Sequence, residues 1–307
     1  MTKLCLGTMH FGTAVDERTA FGLLDRFADR GGTHVDTANC YATWAGTGDE
    51  SEELIGRWHT SRGARDRIVL ATKVGARPTG SDEPWPFNAE GLSDKTIRTA
   101  TEASLRRLRT DRVDVLYGHM QDPETTVEES VAAFAALVGD GLARRIGLSN
   151  HTAWRVERAR AAARALGRGP LVELVQQRCS YLQPRPGAPF GTQLVLSDEM
   201  RDYALANPDL TLLGYSPLLN GAYTRPDRQL MPHYSHIGTE NRLAAVREVA
   251  RALGATANQV VLAWMLGSTP AVIPVIGVST AEQLDECLGA SDLTIPPDLR
   301  RAMDETA

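Results

Sequence analysis

Lysine is almost missing from this chain. Of 33 basic residues only Lys3, Lys73 and Lys95 are lysines, and arginine supplies the rest. Arginine neither approaches neutrality nor gives up a proton readily, so a lysine kept against this bias marks a place where those properties are wanted. Positive charge is also in short supply: a net charge of −5 excludes the basic surplus of a general nucleic-acid binder. No apolar run approaches the ~18 residues of a membrane span. Residues 1–10 lack the charged-then-apolar layout of a leader peptide. A cytoplasmic protein is expected, with neither a membrane nor a nucleic-acid partner. The four cysteines, Cys5, Cys40, Cys179 and Cys287, are far apart and form no CxxC, which points to reduced thiols rather than a disulfide framework. His233 and His236 have no third ligand at a sensible spacing, so no metal site is expected.

What the chain does have is alternation. Apolar, β-branched runs predict strands over 4–9, 33–38, 68–74, 113–120, 145–150, 173–178, 210–216 and 272–276. Between them lie segments of helical period, several with start and stop signals. Asp16 opens one that Gly31-Gly32 stops, and Ser93 caps another. Thr126 and Glu129 form a capping-box pattern that leads to Gly139. Before the last strand two helices follow one another, over 241–253 and from Thr256-x-x-Gln259. Strands buried on both faces and alternating with helices indicate a parallel sheet. An open dinucleotide-binding sheet would carry GxGxxG after an early strand. Gly46-Thr47-Gly48 has no third glycine in place and no strand before it. The expected fold is α/β: a (β/α)8 TIM barrel, a single domain over 1–307, with an extra helix before strand 8. A long irregular stretch after strand 7, over 219–238, is either a functional lid or a disordered segment.

In such a barrel the chemistry sits at the C-terminal ends of the strands. The polar residues falling there are Asp36 and Tyr41 after strand 2, Lys73 at strand 3, His119 at strand 4, Ser149 and Asn150 at strand 5, Gln176 at strand 6, and Tyr215 and Ser216 at strand 7. Singly, each has a plainer role: the Asp as a turn, the Tyr as a packed aromatic, the His as a core residue. Together, Asp, Tyr, Lys and His on consecutive strand ends form a proton-handling set.

Asp36-Thr37-Ala38-x-x-Tyr41, Ser51-Glu52-Glu53-Leu54-Ile55-Gly56, Ala71-Thr72-Lys73, Asp114-x-x-x-x-His119 and Ile146-Gly147-Leu148-Ser149-Asn150 closely resemble the aldo/keto reductases. The likeness runs from Gly7 to Gln283. It implies an NAD(P)H-dependent reductase of a small-molecule aldehyde or ketone, with Asp36, Tyr41, Lys73 and His119 as the catalytic tetrad. Tyr41 would give the proton. Lys73 would lower the pKa of that phenol, Asp36 would hold Lys73 charged, and the protonation state of His119 would tune the pair. Ser149, Asn150 and Gln176 would bind the nicotinamide carboxamide, and Tyr215 would stack on its ring. Ser216 and Leu218 would lie beside the pyrophosphate, and Gly277, Ser279, Gln283 and Glu286 at the adenosine half. The alternative is a cofactor-binding regulatory subunit or redox sensor on the same barrel, with little turnover; the intact tetrad weighs against it.

The chain also departs from the family. Cys287 replaces an amide partner for adenine, Cys179 stands where a Tyr is frequent, and Gly277-Val278-Ser279 lacks the basic residue many members use for the 2′-phosphate. NADPH is still expected, with NADH accepted less well, because Arg225 and Arg228 lie in the segment that folds over the pyrophosphate. The loop between Tyr41 and Ser51 is long and brings Trp44 as a candidate wall of the substrate pocket, together with Met120.

Overall fold

The structure, a computed structural model, describes residues 3–80 and 82–306. Met1 and Thr2, at the start of the stretch read for a leader, lie outside the described residues, as do Ser81 and Ala307. Eight parallel strands close in chain order into a barrel: β1 (Cys5–Gly7), β2 (His34–Asp36), β3 (Val69–Val74), β4 (Val113–Gly118), β5 (Ala143–Ser149), β6 (Val172–Arg178), β7 (Thr211–Tyr215) and β8 (Val272–Gly277). Closure comes from β1 pairing with β8, Cys5 opposite Val275. The helices are α1 (Glu17–Asp29), α2 (Glu50–Arg62), α3 (Asp94–Leu108), α4 (Val127–Gly139), α5 (Ala153–Ala165), α6 (Asp198–Ala206), α7 (Ile237–Leu253), α8 (Ala257–Leu266), α9 (Ala281–Gly289) and α10 (Pro297–Asp304). Both α7 and α8 precede β8, as the two successive helical patterns require. Among the described residues no helix is long and apolar enough to cross a membrane, and the four cysteines are free.

Helix starts follow the capping signals. The side chains of Asp16, Ser93, Ser197 and Thr256 accept from Thr19, Thr96, Met200 and Gln259 backbone N–H groups, and Thr256 and Gln259 complete a capping box. The box expected at Thr126 forms only by half. Thr126 accepts from the Glu129 N–H, but the Glu129 carboxylate turns to the backbone N–H of Asp94, 3.2 Å away, at the start of α3. A second helix N-terminus competes for the same anion. The stretch 219–238 is ordered, with short 3-10 turns at Leu219–Gly221 and Pro232–Tyr234, and α7 takes its last two residues.

Period-two alternation decides which side chains enter the barrel. Cys5, Ala71, Val115, Tyr117, Leu174, Leu213 and Val275 fill the interior as one apolar cluster. One step further along the strands the same parity gives Gly7, Lys73, His119, Gln176, Tyr215 and Gly277, and on β2 and β5 it gives Asp36 and Ser149. The apolar layer is therefore the floor, and the polar candidates form the layer above it. Gly147 lies opposite Tyr117 in the β4–β5 register; a Cβ there would enter the Tyr117 ring, so the glycine is required by the floor.

Candidate active site

The structure brings the four catalytic candidates together. The fully buried Lys73 ammonium donates to three oxygens: Asp36 Oδ2, the Thr37 carbonyl at 2.8 Å and the Tyr41 hydroxyl at 2.7 Å. An ammonium has three protons, so all of its donors are used. Tyr41 in turn donates to Asp36 Oδ2 at 3.2 Å, and Gln176 Nε2 donates to Asp36 Oδ1 at 3.0 Å. The His119 ring stands edge-on to Tyr41, with centroids 6.0 Å apart, and its Nδ1 faces Cys40 Sγ at 3.5 Å.

The electrostatics differ from the sequence expectation in two ways. Burial first, and then the Asp36 carboxylate, push the Tyr41 hydroxyl well above the ordinary phenol range. The expected lowering by Lys73 is outweighed, because Lys73 is itself paired with the anion that also faces Tyr41. Burial, followed by the Lys73 charge, lowers His119 to about 3. Its ring is therefore neutral at ordinary pH and does not tune Tyr41 by gaining a proton. Cys40 is pushed up to about 12, by burial first and by Glu90 next, so its thiol keeps its proton.

The cofactor candidates ring the same mouth. Asn150 has a left-handed backbone (φ 57°) just after β5, and its amide is engaged within the protein. It donates to the His119 carbonyl and to Ser149 Oγ, both at 3.1 Å, and accepts from the Tyr215 hydroxyl at 2.8 Å and from the Leu194 N–H at 3.1 Å. Asn150 thus fixes the Tyr215 ring at the lip. Ser216, Leu219 and Asn220 are also left-handed, and such strain in non-glycine residues collects at ligand sites. Gly277 is exposed at the end of β8, and a Cβ there would meet nothing within 4 Å. Ser279 and Gln283 bond to each other, with the Ser279 N–H and Oγ donating to Gln283 Oε1 at 2.8 and 3.1 Å. Asn258 donates to Glu286 and to Thr224, each at 3.1 Å, which ties the segment that carries Arg225 to α8 and α9. Arg225 itself is exposed and forks onto Asp227. Arg228 also approaches Asp227, at 3.8 Å. Open space over Gly277, an aromatic ring at the lip, the Ser149 hydroxyl and Gln176 amide on neighbouring strands and a nine-residue helix starting at Ala281 fit a dinucleotide laid from β5 to α9. Met120, two residues past β4, is buried, while Trp44 is largely exposed. Among the described residues no group of three or more His, Cys, Asp or Glu is placed to hold a metal ion.

Two contacts of the site join residues far apart in the chain and are not read from it. One is the Cys40–His119 contact. The other is that of fully buried Glu52, which accepts from Thr72 Oγ1 at 2.5 Å and from Arg107 Nε at 2.7 Å. A carboxylate in the first turn of α2 reads as a helix-dipole partner; only its place in the run Ser51 to Gly56 hints at more.

The Aldo/keto reductase family profile matches residues 3–307. Norsolorinic acid reductase stcV of Emericella nidulans is 37% identical over 300 residues, covering 93% of this chain and 73% of its own length. Aryl-alcohol dehydrogenase GME11368 of Pestalotiopsis microspora is 31% identical, covering 96% and 76%. Among solved structures, the thermostable aldo-keto reductase Tm1743, crystallised with the inhibitor epalrestat, superposes with a TM-score of 0.77 at 26% identity, over 100% of this chain and 96% of that one.

Proposed function

The chain belongs to the aldo/keto reductase family and is thereby an NAD(P)H-dependent oxidoreductase; on that premise we propose that it reduces an aromatic aldehyde or ketone with NADPH and takes the proton from Tyr41. The observation that carries this reading is the contact of Asp36, Lys73 and Tyr41, with His119 edge-on, at the open end of the barrel. A bound nicotinamide supplies the hydride. Ser149 and Gln176 hold its carboxamide, Tyr215 backs its ring, Ser216 and Leu218 flank the pyrophosphate, and Gly277, Ser279, Gln283 and Glu286 take the adenosine half.

The remaining work belongs to the side chains. A carbonyl oxygen arriving between Tyr41 and His119 competes with Asp36 for the Tyr41 proton. As charge develops on that oxygen, the proton transfers, and the phenolate left behind faces the Lys73 ammonium 2.7 Å away. His119 is neutral. In the tautomer whose Nδ1 accepts from the Cys40 thiol, Nε2 carries the ring proton and donates it to the same oxygen. The aromatic character of the substrate is carried over from the aryl-alcohol dehydrogenase relative, and the NADPH preference rests on Arg225 and Arg228.

The test is turnover of an aromatic aldehyde panel, read as loss of NADPH absorbance, for the wild type and Tyr41→Phe. The variant should lose on the order of 10²-fold or more in kcat, the scale of one general acid, and still bind NADPH. A wild-type rate in Tyr41→Phe removes it as the donor. No turnover of any carbonyl overturns the reading.

A further inference from the structure

Large apolar side chains exposed among the described residues are gathered at the mouth: apart from Leu166 and Leu205, each lies in a loop after a strand or at the start of the helix that follows. The densest part is on one side. Trp44, in the loop after β2, is 67% exposed, and Trp85 and Phe87, in the loop after β3, are 50% and 80% exposed. These rings do not hang on free loops. Residues 77–79 pair with 88–90 as a small hairpin, through Thr79 N–H to Asn88 O, Glu90 N–H to Arg77 O and a bridge between Pro78 and Ala89. The Trp85 indole N–H folds back onto the Ala76 carbonyl at 3.1 Å, two residues past the end of β3.

Arg77 then joins this hairpin to the loop of Trp44. It donates to the Asn39 carbonyl and to Asp49, both at 2.6 Å, and to the Thr47 carbonyl at 3.1 Å. Glu90 makes a second tie, accepting from Asn39 Nδ2 at 2.8 Å and from the Gly75 N–H at 2.7 Å. On its other side Trp44 meets the His10 ring edge-on, with centroids 6.4 Å apart. Solvent-facing aromatic rings on braced loops cost solubility and add nothing to the core, which is the pattern of a binding surface.

We propose that Trp44, Trp85 and Phe87 form a distal subsite for planar multi-ring aromatic substrates: the carbonyl sits at Tyr41 and the fused rings lie outside the mouth against this rim. The proposal rests on the reading of the site as an aromatic-carbonyl reductase and extends it to substrate size. A single-ring aldehyde offers the rim no ring beyond the one at the carbonyl, so the proposed rim discriminates by size. Flat rings suit it because stacking and edge contacts require a π face.

The experiment is tryptophan-quenching titration of the NADP-loaded protein with a three-ring aldehyde, anthracene-carbaldehyde, and with benzaldehyde. It is run on the wild type, Phe87→Ser and Phe87→Tyr. Phe87 is the chosen position because its exposed ring bears no tryptophan signal. In Phe87→Ser the ratio of three-ring to one-ring affinity should fall about tenfold, the scale of one or two aromatic contacts, and Phe87→Tyr should restore it. An unchanged ratio, or equal affinity of the wild type for both aldehydes, overturns the proposal. A shifted ratio without reduction of either aldehyde leaves the subsite standing and removes the reductase reading instead.

Discussion

Lys73 donates to the Tyr41 hydroxyl at 2.7 Å with the last of three protons, the other two being held by Asp36 and the Thr37 carbonyl. This ammonium has neither a free donor nor free space, its side chain being 1% exposed. In a chain where arginine is the default cation, the geometry explains the exception. A planar guanidinium is larger and presents its N–H groups in a fixed fork that cannot meet three convergent oxygens.

Lys73→Arg is therefore expected to lower kcat on the order of 10²-fold. The extra volume should also cost about 1–3 kcal/mol of stability, the range for overfilling a packed interior. Steady-state rates and urea midpoints check the two effects separately. A fully active Arg variant would show that charge alone suffices at this position.

A second prediction concerns pH. His119 is held near 3, so it stays neutral and kcat/KM should show no histidine step around pH 6.5. An inflection there that disappears in His119→Gln would mean the ring is protonated in the working enzyme.

Stability should respond where activity does not. Burial lowers His34 and His151 to about 4, below the ~6.5 of an unfolded histidine. As pH falls, the unfolded chain takes up protons that the native chain refuses. The stability tied to these groups is whole above ~6.5 and drains away from there to about 4, at roughly 1.4 kcal/mol per pH unit for each histidine. His151, 6% exposed and bonded through Nδ1 to the Ser149 carbonyl at 2.8 Å, is the clearer case. Urea midpoints measured from about pH 7 to pH 4.5 should fall more gently in His151→Gln; parallel curves would count against it.

What the sequence revealed and what it hid follow from the range of the interactions. Caps such as Ser93 to Thr96 and Thr256 to Gln259 act over three residues and are readable directly. So is the inward parity of Ala71 and Lys73. Placing Asp36, Tyr41, Lys73 and His119 together needed the family resemblance, since period and composition say nothing of how far a barrel turns. The partners of each group were harder still. Gln176 reaches Asp36 across 140 positions of the chain, and Tyr215 reaches Asn150 across 65. The sign of the Tyr41 shift is not legible in the motif, which shows the pairing with Lys73, whereas burial and the direct bond to Asp36 belong to the folded site.

The buried pair of Glu52 and Arg107 gives a prediction about stability. Glu52 is 0% exposed, and Arg107 is its cationic partner at 2.7 Å. Arg107→Leu leaves a carboxylate inside the protein with only the Thr72 hydroxyl, a change that typically costs about 3–5 kcal/mol. The double variant Arg107→Leu/Glu52→Gln should recover part of that loss, because no charge is then stranded. Denaturant midpoints that do not recover would assign the loss to packing of the arginine stem.

The proposed preference for NADPH rests on Arg225 and Arg228, and Arg225 already has a partner. Arg225 Nη2 meets Asp227 Oδ2 at 2.6 Å and Nε meets Oδ1 at 3.1 Å, with both side chains largely exposed. The pair holds the arginine above and the aspartate below their usual ranges. An exposed pair of this kind contributes little to the fold. A 2′-phosphate offers the same fork a doubly charged acceptor, and charge-assisted bonds to phosphate are the stronger kind. On the proposed reading Asp227 would compete with the phosphate. Asp227→Asn should tighten NADPH while NADH changes less, and Arg225→Ala with Arg228→Ala should weaken NADPH roughly tenfold relative to NADH, the scale of a lost hydrogen bond to a charged group. Fluorescence titration with both cofactors decides the matter. Equal losses for NADPH and NADH would place the arginines at the shared pyrophosphate, and an unchanged NADPH affinity in both variants would remove Arg225 and Arg228 from the cofactor site.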